Sequence, residues 1–272
     1  MKKTLLSIIL IICARVSAEA QTFSHSFKID EPTNLTEPTS VSPFEVLALD
    51  DEDFAWIRKK IFSLLKFSQL SQAWGPTREP YQRVKHFRGW LRDWENPSCR
   101  NTRALVLKRD SLQQPVEYSD DGCRVVAGEW EDPFTGLTHY NSNQVQIDHF
   151  VPLKNAYVSG ADQWSGAQRC LYANFLGNDF HLLSITGYEN SRKGDRGPEA
   201  YLPPNSSYQC RYVSQWLQIK LLWQLRLNPD EVQAIQKTVR ELHCDRKLFE
   251  FSKTEIQRLR KLIADTLYIC QS

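Results

Sequence analysis

Short strand patterns in the middle of the chain, helical periodicity towards both ends and an even set of cysteines predict an α+β domain stapled by disulfides. The chain has 272 residues, 41% of them hydrophobic, with 13 Phe, 10 Tyr and 8 Trp. That is enough for one elaborated domain with small appendages, and the composition excludes fibrous or globally disordered chains.

The elements follow in order. Residues 1–20 read as a cleaved signal peptide: Lys2 and Lys3 precede the apolar run 5–12, and Ala18-Glu19-Ala20 supplies a small-x-small site. The run is too short to span a bilayer, no later run resembles a membrane span, and a secreted or periplasmic location is expected. Removal of 1–20 takes away Lys2, Lys3, Arg15 and Glu19, leaving 31 basic and 31 acidic residues. A basic coat over the whole protein is therefore excluded, and anion binding must come from a local patch. Residues 21–43, rich in Thr, Ser, Pro and Glu, form a flexible leader. Residues 44–77 form an N-terminal helical segment, with Phe54, Ile57, Ile61, Leu64 and Leu65 at helical spacing.

The stretch 78–109 holds nine basic residues against Glu79, Asp93 and Glu95, interleaved with Tyr81, Phe87, Trp90 and Trp94. Its charge of +6 suits a phosphate backbone, although Trp90 and Trp94, four apart, read as core rather than as base-stacking platforms. Runs 104–107 and 123–126 read as short strands, and Asp132-Pro133-Phe134-Thr135-Gly136 as a turn. Residues 144–148 alternate as a strand, a Pro-punctuated helical stretch follows, and the run from His181 to Ile185 is a further strand, closed by Thr186-Gly187. Residues 208–226 form an apolar helix around Trp216 and Trp223. The tail, 226–272, carries two helices opened by Asn228-Pro229-Asp230-Glu231 and Ser252-Lys253-Thr254-Glu255. Cys99, Cys123, Cys170, Cys210, Cys244 and Cys270 remain after the leader is removed, which favours disulfides in an exported chain. Fifteen pairings are open. The C-x-x-C spacing of a structural zinc site is absent.

The chemistry concentrates between Asp148-His149 and Asn190-Ser191-Arg192-Lys193. If one strand ends at His149, a second begins at His181 and a helix starts near Gly187, Asn190 comes to lie over the hairpin beside Asp148. A carboxylate and an amide oxygen are hard ligands that suit Mg²⁺, with Mn²⁺ as the alternative. His149 projects from the other side of the strand, where its imidazole can take a proton from a water. Those are the requirements of phosphodiester hydrolysis.

In this arrangement the chain resembles the HNH endonucleases of the ββα-metal (His-Me finger) group. His181 stands nine residues before Asn190, as in the family motif. The wider text is similar to secreted members: Tyr81-x-Arg83, Trp90, Cys99 with Thr102-Arg103, Gly128-x-Trp130-x-Asp132-Pro133-x-Thr135-Gly136, Asp148-His149-x-Val151-Pro152-Leu153, Ser159-Gly160-Ala161, Tyr172-Ala173-Asn174 and Trp216-x-x-x-Lys220. The match spans roughly residues 78–225, taken as the nuclease domain, with 226–272 as a helical extension packed on it. The resemblance implies a ββα-metal finger within a mostly helical surround, with His149 as general base and His181 as a catalytic-site residue bracing the base or the hairpin. It implies Asp148 and Asn190 as metal ligands, and Lys193, with Arg192, Arg196 and Lys154, at the phosphates. It points to Cys99–Cys123, which flank a candidate strand pair. Cys210–Cys244 then ties the Trp216 helix to the tail, and Cys170–Cys270 is left by elimination. Two places depart from the family pattern: the spacing from Cys99 to Thr102, and Phe175 where an acid is usual.

The expected activity is metal-dependent cleavage of nucleic acid, DNA in preference to RNA, with little sequence preference, no membrane association and no obligate protein partner. The rival is a catalytically silent binding or adhesion domain, whose mark would be loss of Asp148, His149 or Asn190. A metallopeptidase is disfavoured because H-E-x-x-H is missing. His25, His86, His139 and His243 sit in no pattern and receive no role.

Overall fold

The computed structural model describes residues 77–93 and 98–271, all of which fall within a single unit of the chain. The signal peptide, the leader, nearly all of the 44–77 helical segment and Trp94 lie outside the described residues.

A short helix α1 (Arg83–Phe87) leads through a loop to α2 (Thr102–Asp110). Here the structure corrects the sequence reading, since run 104–107 is helical and not a strand. The Asn101 side chain accepts the Ala104 N–H at 3.2 Å, which caps the helix, while Lys108 and Arg109 occupy its last turn, where cations oppose the helix dipole. A four-residue apolar run carries no period of its own, and the cap decides.

Strands β1 (Glu117–Tyr118), β2 (Val125–Glu131) and β3 (Thr138–Asn141) form an antiparallel sheet in that order. The Asp132–Gly136 turn joins β2 to β3 as expected, with Gly136 at φ +76°, a backbone that a Cβ would strain. A second sheet contains β4 (Val145–His149) and β5 (Leu182–Thr186), antiparallel, with His149 opposite Leu182 and Val145 opposite Thr186. Between these strands the chain makes α3 (Leu153–Val158) and α4 (Gly166–Ala173), and β5 passes directly into α5 (Gly187–Lys193). A ββα unit therefore stands where the sequence placed it.

Three longer helices close the fold: α6 (Ser206–Leu222), α7 (Pro229–Glu241) and α8 (Lys253–Thr266). The first stops at Leu222 rather than 226, with Gln224 at φ +55° turning the chain. The expected caps hold α7 and α8: Asn228 accepts from Glu231 N at 2.7 Å and Ser252 from Glu255 N at 3.2 Å. No described helix is long and apolar enough to cross a membrane.

The hairpin sits between two apolar clusters. Val145, Ile147 and Leu182 pack with Ala104, Leu107 and Trp130 under α2, and the Trp130 indole donates to Leu107 O at 2.8 Å. Ile185 joins the larger cluster around Phe134, Phe150, Tyr172, Tyr212 and Trp216. The C-terminal residues Phe249, Ile256 and Leu259 belong to that larger core. Asp110 at the end of α2 accepts both the Ser184 N–H and its hydroxyl at 2.9 Å, so the middle of β5 has its donor satisfied. All three expected disulfides form: Cys99–Cys123, Cys170–Cys270 and Cys210–Cys244. The second closes a sequence separation of 100 residues, for which chain entropy gives on the order of 4 to 5 kcal/mol.

Candidate active site

Strand alternation assigns the two faces of β4. Gln146 and Asp148 share the face covered by α5, and His149 points the other way, towards α4 and the loop after α1. A cleft of about 320 Å³ opens here, lined by Tyr81, Arg83, Asp148, His149, Lys154 and Asn190 among others.

His149 is held from several directions. Its Nε2 lies 3.0 Å from the Ala173 carbonyl oxygen, which can only accept, so Nε2 carries the proton and Nδ1 the lone pair. The Trp90 ring stacks on the imidazole at 5.2 Å with 4° between the planes. Trp90 is held in turn by Asn174, the residue after Ala173. The Asn174 Oδ1 accepts from Leu91 N at 2.9 Å and from the Thr102 hydroxyl at 2.6 Å, and its Nδ2 donates to Gly89 O at 3.2 Å. The end of α4 thus aligns the histidine through Ala173 and its stacking partner through Asn174. Burial pushes the His149 imidazole down to about 3, against the opposing pull of the Ala173 carbonyl. It is the neutral, proton-accepting form at any physiological pH.

Asp148 is buried, and its Oδ1 accepts from Lys193 Nζ at 2.9 Å. Lys193 is 0% exposed and also donates to the His149 carbonyl oxygen at 3.0 Å. This corrects the assignment of Lys193 to the phosphates. The i, i+3 relation puts Lys193 on the Asn190 face of α5, but that face turns inward at its last turn, and the ammonium is sealed against Asp148. Burial raises the Asp148 carboxyl and lowers the Lys193 ammonium, and the attraction between them opposes both shifts. The second oxygen, Asp148 Oδ2, is buried without a hydrogen-bond partner. Asn190 Nδ2 donates to Gln146 Oε1 at 2.9 Å, which leaves the side-chain Oδ1 of Asn190 with no donor among the described residues.

An orphaned carboxylate oxygen and a free amide oxygen on one cleft wall suit a hard divalent cation completed by waters. Among the described residues no group of three or more His, Cys, Asp or Glu side chains converges on a metal position. Such a site is therefore lean in protein ligands.

The remaining expected residues separate. Lys154 lines the cleft and pairs with Asp195 at 2.5 Å, both about half exposed. Arg192 pairs with the buried Glu189 at 2.7 Å and lies over the Tyr201 ring. Arg196 is exposed, with one nitrogen on the Arg192 carbonyl. His181 does not reach the cleft: it is 1% exposed, donates from Nε2 to Tyr172 O at 2.7 Å, and packs against Tyr172, Phe175 and Trp223. Of its two anticipated uses, this geometry suits the brace, because Tyr172 and Ala173 are successive residues of α4. Phe175, where an acid was expected, forms one wall of that pocket.

Sequence reasoning gave no role to Gln146, which period-two alternation from Asp148 could have found, or to Ala173, whose contribution is a backbone carbonyl. It set Trp90 in the core, and the ring does pack against the smaller apolar cluster while also stacking on His149. Two histidines left without a role have partners: His86 bonds Glu79 at 2.8 Å and stacks on Tyr157, and His139 bonds Thr186.

The sequence profile of the GmrSD restriction endonuclease C-terminal domain matches residues 101–238, a span that includes every residue of the ββα unit. An "Uncharacterized secreted protein" of Arthroderma benhamiae is 40% identical over 135 residues, covering 50% of this chain and 64% of that relative. The chain thus spans less than two thirds of the relative's length. No solved structure matches the chain.

Proposed function

The chain belongs to the family of GmrSD restriction endonuclease C-terminal domains, and from that premise we propose that it is an HNH-type endonuclease working outside the cell. Its substrate is nucleic acid, DNA in preference to RNA, cut with little sequence preference. The observation that carries this reading is the juxtaposition in one cleft of a tautomer-fixed His149 with the orphaned Asp148 Oδ2 and Asn190. The extracellular setting is supported by the relative's name and by three disulfides, which persist in oxidising compartments.

His149 Nδ1 takes the proton of a water as its oxygen forms the new bond to phosphorus and the bond to the leaving oxygen breaks. A buried imidazole near 3 is a weak base, but a phosphodiester anion in the cleft favours the imidazolium and raises it. Trp90 and Ala173 hold the ring in place throughout. Arg83 lines the same cleft with an exposed guanidinium, and with Lys154 and Arg196 it meets the phosphates. A divalent ion at Asp148 and Asn190, Mg²⁺ or Mn²⁺, supplies neutralisation of the phosphate and of the leaving oxygen.

The test is digestion of plasmid, single-stranded DNA and RNA with Mg²⁺ or Mn²⁺, and with a chelator. Cleavage is expected with either metal and lost on chelation. His149→Ala is expected to lose about two to four orders of magnitude in rate while remaining folded. Comparable nicking by that variant overturns the role of His149, and full activity in chelator overturns the metal.

A further inference from the structure

The motif Asp132-Pro133-x-Thr135-Gly136 lies away from the cleft, and the hydrolytic scheme leaves it without a part. Asp132 is 0% exposed, yet its carboxylate is saturated with donors. Oδ1 accepts the Phe134 N–H at 2.8 Å. Oδ2 accepts the Thr135 hydroxyl at 2.7 Å, the Thr186 N–H at 3.0 Å and the Thr186 hydroxyl at 2.5 Å. Because Thr186 gives its single hydroxyl proton to Asp132, its oxygen can only accept from His139 Nε2 at 2.7 Å. His139 therefore donates to Thr186, which donates to Asp132. These residues come from the turn after β2, from β3 and from the end of β5.

Thr186 is both the last residue of β5 and the N-cap of α5, and its side chain makes no capping bond to its own helix. The hydroxyl is used sideways, on Asp132. We infer that Asp132, Thr186 and His139 form a positioning clamp that fixes where β5 passes into α5, and so sets Asn190 and Lys193 against Asp148. Asn190 lies about one turn beyond the clamped residue. Side-chain atoms ride about 5 to 6 Å from a helix axis, so a 20° rotation at the clamp moves the Asn190 amide by about 2 Å. A misplacement of about 1 Å near a reacting centre can cost about a hundredfold in rate. A charge-assisted, fully buried carboxylate is stiff enough to prevent such a rotation. None of the three residues touches the cleft, and each acts through α5.

The activity arm of the test rests on the hydrolase reading, whereas amide hydrogen exchange in Gly187–Lys193 does not. Thr186→Val keeps the branched shape and removes the hydroxyl, Thr186→Ser keeps the hydroxyl, and Asp132→Asn weakens the acceptor. For Thr186→Val we expect faster exchange confined to α5 and a kcat about 10- to 100-fold lower, with KM within about threefold. Thr186→Ser should restore kcat to within about threefold of the parent, which a purely steric role of the side chain does not require. Should Asp132→Asn fail to fold, the two Thr186 variants decide alone. Unchanged exchange in Thr186→Val overturns the clamp, and faster exchange with unchanged kcat overturns its positioning role. If the parent protein cleaves no nucleic acid, the hydrolase reading falls, and exchange in Thr186→Val judges the clamp by itself.

Discussion

Lys193 and Lys220 are both buried beside a carboxylate, 2.9 Å from Asp148 and 3.2 Å from Glu231, but their surroundings are satisfied to different degrees. At Lys220 both charged groups of the pair are fully engaged. The ammonium donates to Asn155 Oδ1 and Ser159 Oγ at 2.6 Å and to Arg226 O at 3.0 Å. Glu231 accepts from Asn155 Nδ2 at 2.7 Å and from Asn228 N at 3.1 Å as it caps α7. That pair is closed, and it ties α3 to the C-terminal helices. Around Lys193 the arrangement is open, because Asp148 keeps one buried oxygen unpartnered beside a cleft. Burying a carboxylate oxygen without a partner is costly. The same residue types thus build a closed structural pair beside α3 and, at Asp148, a pair that leaves one carboxylate oxygen unpartnered beside the cleft.

The largest expected effect comes from dismantling the closed pair. Lys220→Met combined with Glu231→Gln removes the donor shared by Asn155, Ser159 and the Arg226 carbonyl oxygen and weakens the acceptor of the Asn228 N–H. Each buried group left unpaired costs about 1 to 3 kcal/mol, so a stability loss of about 3 to 5 kcal/mol is expected in urea unfolding. The matched double variant, Asp148→Asn with Lys193→Met, removes the charged pair and deprives the His149 carbonyl oxygen of its ammonium donor. Replacing a buried ion pair is often less costly than stranding a network, so the stability loss should be about 1 to 2 kcal/mol, smaller than at Lys220, while nuclease activity disappears. Equal losses of stability in the two doubles would erase the distinction between closed and open pairs.

A smaller effect separates His181, the brace, from the groups around the cleft. Burial pushes His181 down to about 4, against about 6.5 in an unfolded chain. The unfolded state therefore takes up the proton first. Stability is complete above about pH 6.5 and declines as pH falls towards 4, by at most about 3 kcal/mol. His181→Asn keeps a polar group but cannot titrate. Its thermal midpoint should fall less steeply between pH 6.5 and pH 4 than that of the parent, and an equal slope would show that the brace does not titrate on unfolding.

Much of this site was legible because it is built from local periodicities. Alternation placed Asp148 and His149 on opposite faces, and the family resemblance, with His181 nine residues before Asn190, pointed to the returning strand and helix. What escaped depended on which way a helix face turns in three dimensions. Lys193 and Asn190 share a face, and only the packing of α5 on β4 makes the first a buried counter-ion and leaves the second at the cleft. The run 104–107 was misread because four apolar residues carry no period, and the deciding signal was the Asn101 cap. Asp132 was legible only as part of a turn and of the family motif, because its partner Thr186, and His139 beyond it, come together through tertiary folding.

The smallest expected effect concerns Trp90, which touches the site through one ring face. Its plane lies 4° from that of His149 at 5.2 Å, and its flanking residues Gly89 and Leu91 are fixed by Asn174. Aromatic pairs of this kind contribute about 0.5 to 1.5 kcal/mol beyond area burial. If that stacking keeps the imidazole in its productive orientation, its loss converts to roughly a 2- to 12-fold fall in kcat. Trp90→Phe retains a stacking face and should sit at the lower end of that range, whereas Trp90→Leu fills similar space without a π face and should sit at the upper end. Neither should shift KM by more than about twofold, because Trp90 meets the base and not the phosphates. Steady-state kinetics on a short duplex checks this, with circular dichroism confirming the fold. A large rise in KM with kcat unchanged would place Trp90 on the substrate side of the cleft, as a base-stacking platform after all.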